Sequence, residues 1–202
     1  MKLILTSAGL SNQRIIDAFL KLLNKEPKET SLLIVVYGQN EEEKFQFHIN
    51  ESRKEVENLG FKATVLNMNE SLSIDSLQNF DAFYVCGGNT FSILAKMRDT
   101  GIDNFIKSQV LGGSVYLGVS AGSIIAGPDI EIAGWGTDGD SNDVGLINMK
   151  GFNFTDTAVF PHFEEERQRK EVEEFKQKVI YPVQELTNEQ ALVIFESKKT
   201  LI

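Results

Sequence analysis

Apolar residues along this chain fall into two alternating patterns. Short continuous runs (Leu3-Ile4-Leu5, Leu32 to Tyr37, Phe83-Tyr84-Val85-Cys86, Val115-Tyr116-Leu117) are separated by stretches where apolar positions recur at helical spacing. A continuous run is what a parallel strand covered on both faces requires. Ile15, Ile16, Phe19, Leu20, Leu22 and Leu23 predict a first helix, capped by Ser11 or Asn12 and stopped by Pro27. Phe45, Phe47, Ile49, Val56 and Leu59 mark a charged helix from Asn40 to Leu59, closed by Gly60 and followed by a strand from Phe61 to Met68. A short helix is expected around Ser73 to Leu77. Ile93, Leu94 and Met97 define another helix, which Gly101 separates from one over Ile102 to Leu111.

Strand, helix, strand, helix at this spacing implies right-handed crossovers and a doubly wound, mostly parallel sheet, an α/β fold. Beyond Pro128 the pattern changes. Ile130, Ile132 and Ala133 alternate with polar residues, and Gly134 to Asp143 is a polar, glycine-rich loop containing Trp135. Thr157 to Phe163 reads as a further strand of the sheet, Glu164 to Ile180 as an amphipathic helix, and Ala191 to Phe195 with Thr200 to Ile202 as a closing hairpin.

Composition narrows the class. With 202 residues, 42% of them hydrophobic, the chain suits one well-cored domain over 1–202. Its single cysteine, Cys86, excludes an internal disulfide framework and fits a reducing, cytoplasmic setting; as part of an apolar run it reads as core. No signal peptide or membrane-spanning run is expected. A net charge of −9 argues against non-specific nucleic-acid binding. No cluster of His or Cys suggests a metal, and no cofactor motif is present.

The candidate chemistry starts at Gly118-Val119-Ser120-Ala121-Gly122. A serine between two glycines, where a strand turns into a helix, presents its hydroxyl outward on a tight bend. At the carboxyl end of a strand, where open α/β sheets bind ligands, Ser120 is a candidate nucleophile. The alternative is a glycine-lined turn that only packs a helix on the sheet. A serine nucleophile needs a base, and there are two histidines. His48 lies in the charged helix and is expected to face solvent. His162 follows Val159-Phe160-Pro161 at a strand end, on the expected edge of Ser120. Gly87-Gly88-Asn89-Thr90 offers free amides at another strand end, for an oxyanion or a phosphate.

Three blocks, Gly87-Gly88-Asn89-Thr90-Phe91, Gly118 to Gly122 and Pro161-His162-Phe163, resemble in order and spacing the signatures of the peptidase E (aspartyl dipeptidase)/cyanophycinase family. That resemblance implies a flavodoxin-like, three-layer α/β/α sandwich related to class I glutamine amidotransferases. It implies Ser120 as nucleophile, His162 as general base, and Gly88 and Ala121 as oxyanion-hole amides. It also implies an acid between nucleophile and histidine. Asp129, Glu131, Asp138, Asp140 and Asp143 all stand there; Asp138 or Asp140 is favoured, Glu131 competes, and a dyad without a carboxylate stays open. Aspartyl dipeptides would need a cation, for which Arg167 and Arg169 are candidates beside a solvated helix face; Asn89 and Thr90 are further candidate substrate contacts. The expected function is a serine peptidase of small peptides, monomeric or homodimeric, with no nucleic-acid or membrane partner. The alternatives are the same site acting on a β-linked aspartyl fragment, an ester or another amide, and a non-catalytic small-molecule binder on an amidotransferase-like scaffold.

Overall fold

The computed structural model describes residues 1–38, 42–70, 74 and 77–202, and the side chains of these apart from 42–48. The expected orientation of the His48 side chain, the beginning of the helix at Asn40 and most of the short helix from Ser73 lie outside the described residues. The elements are β1 (Lys2–Thr6), α1 (Gln13–Leu23), β2 (Ser31–Val36), α2 (Glu42–Glu57), β3 (Lys62–Asn67), β4 (Ala82–Val85), α3 (Thr90–Thr100), α4 (Ile102–Leu111), β5 (Val115–Val119), α5 (Ala121–Ile125), β6 (Ala158–Phe160), α6 (Glu165–Lys176), β7 (Val183–Glu185), β8 (Ala191–Phe195) and β9 (Lys198–Leu201).

Seven strands form one sheet in the order β3-β2-β4-β5-β1-β8-β9. The first five are parallel, while β8 runs antiparallel to β1 and β9 antiparallel to β8. Alternate residues of each strand enter different cores. Leu3, Leu5, Leu33, Val35, Phe83, Val85 and Tyr116 face the layer built by α3, α4, α5 and α6. Ile4, Leu32, Ile34, Val36, Tyr84 and Leu117 face α1 and α2. This side-to-side alternation explains why the strands read as continuous apolar runs. The result is the α/β fold the pattern implied, with helices on both faces.

Helix ends follow their local chemistry. Asn12, rather than Ser11, caps α1, its side chain accepting from the Ile15 amide at 3.2 Å, and Asn24 closes that helix in the left-handed conformation. The outer edge strand β9 is exposed along its length and carries Lys198 and Lys199, charges that discourage edge-to-edge association. Among the described residues, no helix is long and apolar enough to cross a membrane.

Two expectations need correction. The strand before His162 is not part of the main sheet: β6 pairs only with β7, in a separate two-stranded parallel sheet. The edge of β1 that it would have needed is taken by β8. β7 went unforeseen because Val183-Gln184-Glu185 is short, half-buried and lacks an apolar run. The last helix ends at Lys176, not Ile180, whose side chain is fully exposed ahead of Pro182. Ile130, Ile132 and Ala133, to which the pattern assigned no element, lie buried in a turn and the 3-10 helix Glu131–Gly134.

Candidate active site

The carboxyl ends of β1, β4 and β5, neighbours in the centre of the sheet, converge on Ser120. The serine ends β5 with φ 50° and ψ −112°, a conformation that non-glycine residues avoid. Such a residue costs on the order of 1–3 kcal/mol and persists only where its surroundings over-determine it. They do so here. The Ser120 amide donates to the Thr6 carbonyl at 2.9 Å, and the Ser120 carbonyl accepts from the amides of Ser123 and Ile124. Fully buried Ser123 accepts from the Thr6 amide at 2.9 Å and donates to the Gly118 carbonyl at 2.8 Å, stitching β1 to the bend. Any side chain at Gly122 would meet the Val85 carbonyl oxygen at 2.2 Å, so the helix after Ser120 can approach β4 this closely only with glycine there. Gly87 packs against the serine less tightly: a methyl there would stand 3.1 Å from Ser120 Cβ.

His162 reaches the serine from the separate small sheet. Its backbone is left-handed, φ 57°. Its amide donates to Ser7 Oγ at 3.0 Å, and that buried hydroxyl donates in turn to the Leu186 carbonyl at 2.8 Å. Leu186 also accepts from the Phe163 amide and donates to the Phe160 carbonyl, both at 2.9 Å. The loop after β1 thereby fixes where β6 ends. The imidazole Nε2 lies 2.9 Å from Ser120 Oγ, and Nδ1 lies 2.7 Å from Asn188 Oδ1. An amide oxygen only accepts, so Nδ1 carries the proton and Nε2 is left as acceptor for the serine hydroxyl.

Asn188 is the residue that sequence reasoning missed. It sits in the turn Thr187–Gln190 between β7 and β8. Its carbonyl accepts from Ser11 Oγ at 2.8 Å, and the next carbonyl, of Glu189, accepts from Asn12 Nδ2 at 2.9 Å. The acid was sought between nucleophile and histidine, whereas the partner follows the histidine and is uncharged. Its one available signal was a polar turn directly ahead of the strand that pairs with β1.

The carboxylates expected to orient the imidazole are engaged elsewhere. Asp138 forms an ion pair with Arg167. Asp140 accepts from the Thr90 amide at 2.8 Å, tethering the glycine-rich loop to the start of α3. Glu131 is exposed at the start of its 3-10 helix, and Asp129 accepts from the Glu131 amide. Asp143 accepts from Ser141 Oγ.

Two clefts meet at Ser120 and His162, and Gly88 lines both. One, of about 220 Å³, runs under the glycine-rich loop past Thr90, Trp135, Asp138, Asp140, Arg167 and Glu171. The other, of about 710 Å³, lies under α2 past Ser7, Ser52, Glu55, Tyr84 and Cys86. The first is smaller than the roughly 300–1,000 Å³ typical of drug-sized sites and the second lies within that range. Of the candidate substrate contacts, Thr90 lines the smaller cleft, with a buried hydroxyl that meets no partner. Arg167 lines it as well. Asn89 does not: its side chain caps α3 through the Ser92 amide and donates to the Ser141 carbonyl. Arg169 is exposed and bound to Glu165. Ala121 heads α5, so its amide has no carbonyl one turn back to bond.

In the larger cleft, burial raises the Glu55 carboxyl above the usual carboxylate range, although Tyr84 Oη at 2.6 Å and the Leu10 amide at 2.7 Å donate to it and pull the other way. Burial likewise pushes the Cys86 thiol up to about 12, far from a reactive thiolate. Among the described residues, no three His, Cys, Asp or Glu side chains are grouped as metal ligands would be.

The model of peptidase family S51 matches residues 3–202. An uncharacterized peptidase of Listeria monocytogenes is 32% identical over 160 residues, 75% of this chain and 76% of that protein. Proteins named peptidase E are 29% identical over 119 residues in a Nostoc species and 31% over 93 residues in Escherichia coli, alignments that span 47% and 37% of those proteins. The chain superposes over its whole length, with a TM-score of 0.81 and 24% identity, on 97% of a candidate peptidase E protein from Listeria monocytogenes. A peptidase from an acI-B1 actinobacterium gives a TM-score of 0.68 at 16% identity.

Proposed function

Since the chain belongs to peptidase family S51 and is thereby a serine-type peptidase, we propose that Ser120 is its nucleophile, His162 its general base and Asn188 the group that orients the base. The observation that carries this reading is the 2.9 Å contact of His162 Nε2 with a serine held in a strained bend, at the junction of two clefts.

The reaction is acyl transfer in two halves. Ser120 Oγ attacks the scissile carbonyl carbon as its proton passes to His162 Nε2. The carbonyl oxygen becomes an oxyanion held by the amides of Gly88 and Ala121. When the carbon–nitrogen bond breaks, the imidazolium gives its proton to the leaving amine. A water molecule, deprotonated by the same nitrogen, then attacks the acyl-serine, and the Ser120 oxygen leaves and regains its proton. Throughout, Asn188 Oδ1 holds the Nδ1–H, so the ring can neither flip nor change tautomer.

The substrates are short peptides that lie across Ser120 with one portion in each cleft. Arg167, in the smaller cleft, is the group that an aspartyl side chain would meet. The test is turnover of a panel of X-Leu dipeptides and N-blocked analogues by wild type and Ser120→Ala, with an active-site serine phosphonylating reagent as a label. Labelling at Ser120 and turnover lost by at least about 10³-fold in Ser120→Ala are expected. Resistance to the reagent, or activity surviving the substitution, would sink the assignment.

A further inference from the structure

We infer that Asp138 is a specificity-determining residue: by holding the Arg167 guanidinium, it turns the smaller cleft against acidic side chains. The inference rests on the reading that peptides bind over Ser120 and His162.

Among the described residues, Arg167 is the one Lys or Arg lining that cleft, and three carboxylates, Asp138, Asp140 and Glu171, line it too. The guanidinium is already engaged twice. Nη1 bonds Asp138 Oδ2, and Nε lies 3.2 Å from Glu164 Oε2. Asp138 Oδ2 therefore competes with the carboxylate of an aspartyl substrate for that guanidinium. The other carboxylates also accept hydrogen bonds: Asp140 from the Thr90 amide, Glu171 from the Thr137 amide and hydroxyl. An entering carboxylate would have to displace Asp138 and then sit among three like charges. A neutral or positively charged group meets no such penalty.

The Asp138–Arg167 pair is itself open to exchange, since both side chains are about half exposed, and such pairs contribute little to stability. Removing the Asp138 charge should then release Arg167 to a substrate carboxylate.

The measurement is the ratio of kcat/KM for Asp-Leu to that for Ala-Leu in wild type, Asp138→Asn and the double variant Asp138→Asn/Arg167→Gln. A ratio taken within one variant cancels any loss of folded enzyme. The same ratio of affinities, measured calorimetrically in a Ser120→Ala background, reads the preference without turnover, so that failure of the catalytic assignment and failure of this one are told apart. Wild type should favour Ala-Leu. Asp138→Asn should raise the ratio by about tenfold or more, a change of roughly 1.4 kcal/mol, and the double variant should abolish that gain. A wild type that prefers Asp-Leu, a ratio unmoved in Asp138→Asn, or a gain that survives loss of Arg167 would each overturn the inference.

Discussion

At the scale of single residues, the hydrogen bond from His162 Nδ1 to Asn188 is the feature that most affects chemistry. A carboxylate in that place would both orient the ring and attract its positive charge; an amide oxygen orients only. Asn188→Ala should therefore lower kcat by about 10²-fold or more, the scale of general-base catalysis, while KM changes little. In Asn188→Asp a negative charge beside Nδ1 favours the imidazolium. Because only the neutral ring accepts the Ser120 proton, the acid limb of the kcat/KM profile should move to higher pH than in wild type. A profile that stays in place would argue that Asn188 does not govern the ring. Ser120 and His162 were legible in the sequence because glycines and strand ends mark them. Asn188 was not, since a polar turn residue carries no motif and its distance to the ring exists only after β8 has paired with β1.

Among the elements, α2 is tied to the site through Glu55, which bridges the Leu10 amide and Tyr84. Burial raises its pKa, so the fold favours the protonated form relative to the unfolded chain. The stabilising contribution is full below the unfolded value of about 4.3 and is lost as pH rises through the higher folded value. Glu55→Gln cannot ionise. Its melting temperature minus that of wild type should increase between pH 4 and pH 8, and a difference that is flat or falls with pH would contradict this account. The central parallel strands β1, β2, β4 and β5 were readable from hydropathy alone, because two-sided burial writes itself as unbroken apolar runs. The placement of β6 was not. A strand of three buried residues looks the same whether it joins a seven-stranded sheet or a pair, and that choice was made by β8, over thirty residues later in the chain.

For the molecule as a whole, Ser120 follows a strand of the main sheet, whereas His162 follows the small sheet and Asn188, the partner of its ring, stands on the turn between the two. The Ser7 hydroxyl is the link, accepting from His162 and donating to Leu186. Ser7→Ala leaves the His162 amide without its acceptor, at a cost of about 1–3 kcal/mol, while the Leu186 carbonyl keeps its bond from the Phe163 amide. Lower stability in denaturant titration should accompany a fall in kcat, since His162 would lose its register against Ser120. Wild-type kcat in Ser7→Ala would show that the two sheets hold their relation by packing alone.

The position of β1, between β5 and β8, also has a bearing on how the enzyme comes into being. Its partners lie about one half and nearly the whole of the described chain away in sequence, and pairings of such long range are slow to form. A growing polypeptide that has already made the Ser120 bend still lacks the turn carrying Asn188 and the strand that anchors it. The contact of Asn188 with the His162 ring thus forms only once the closing hairpin has docked on β1.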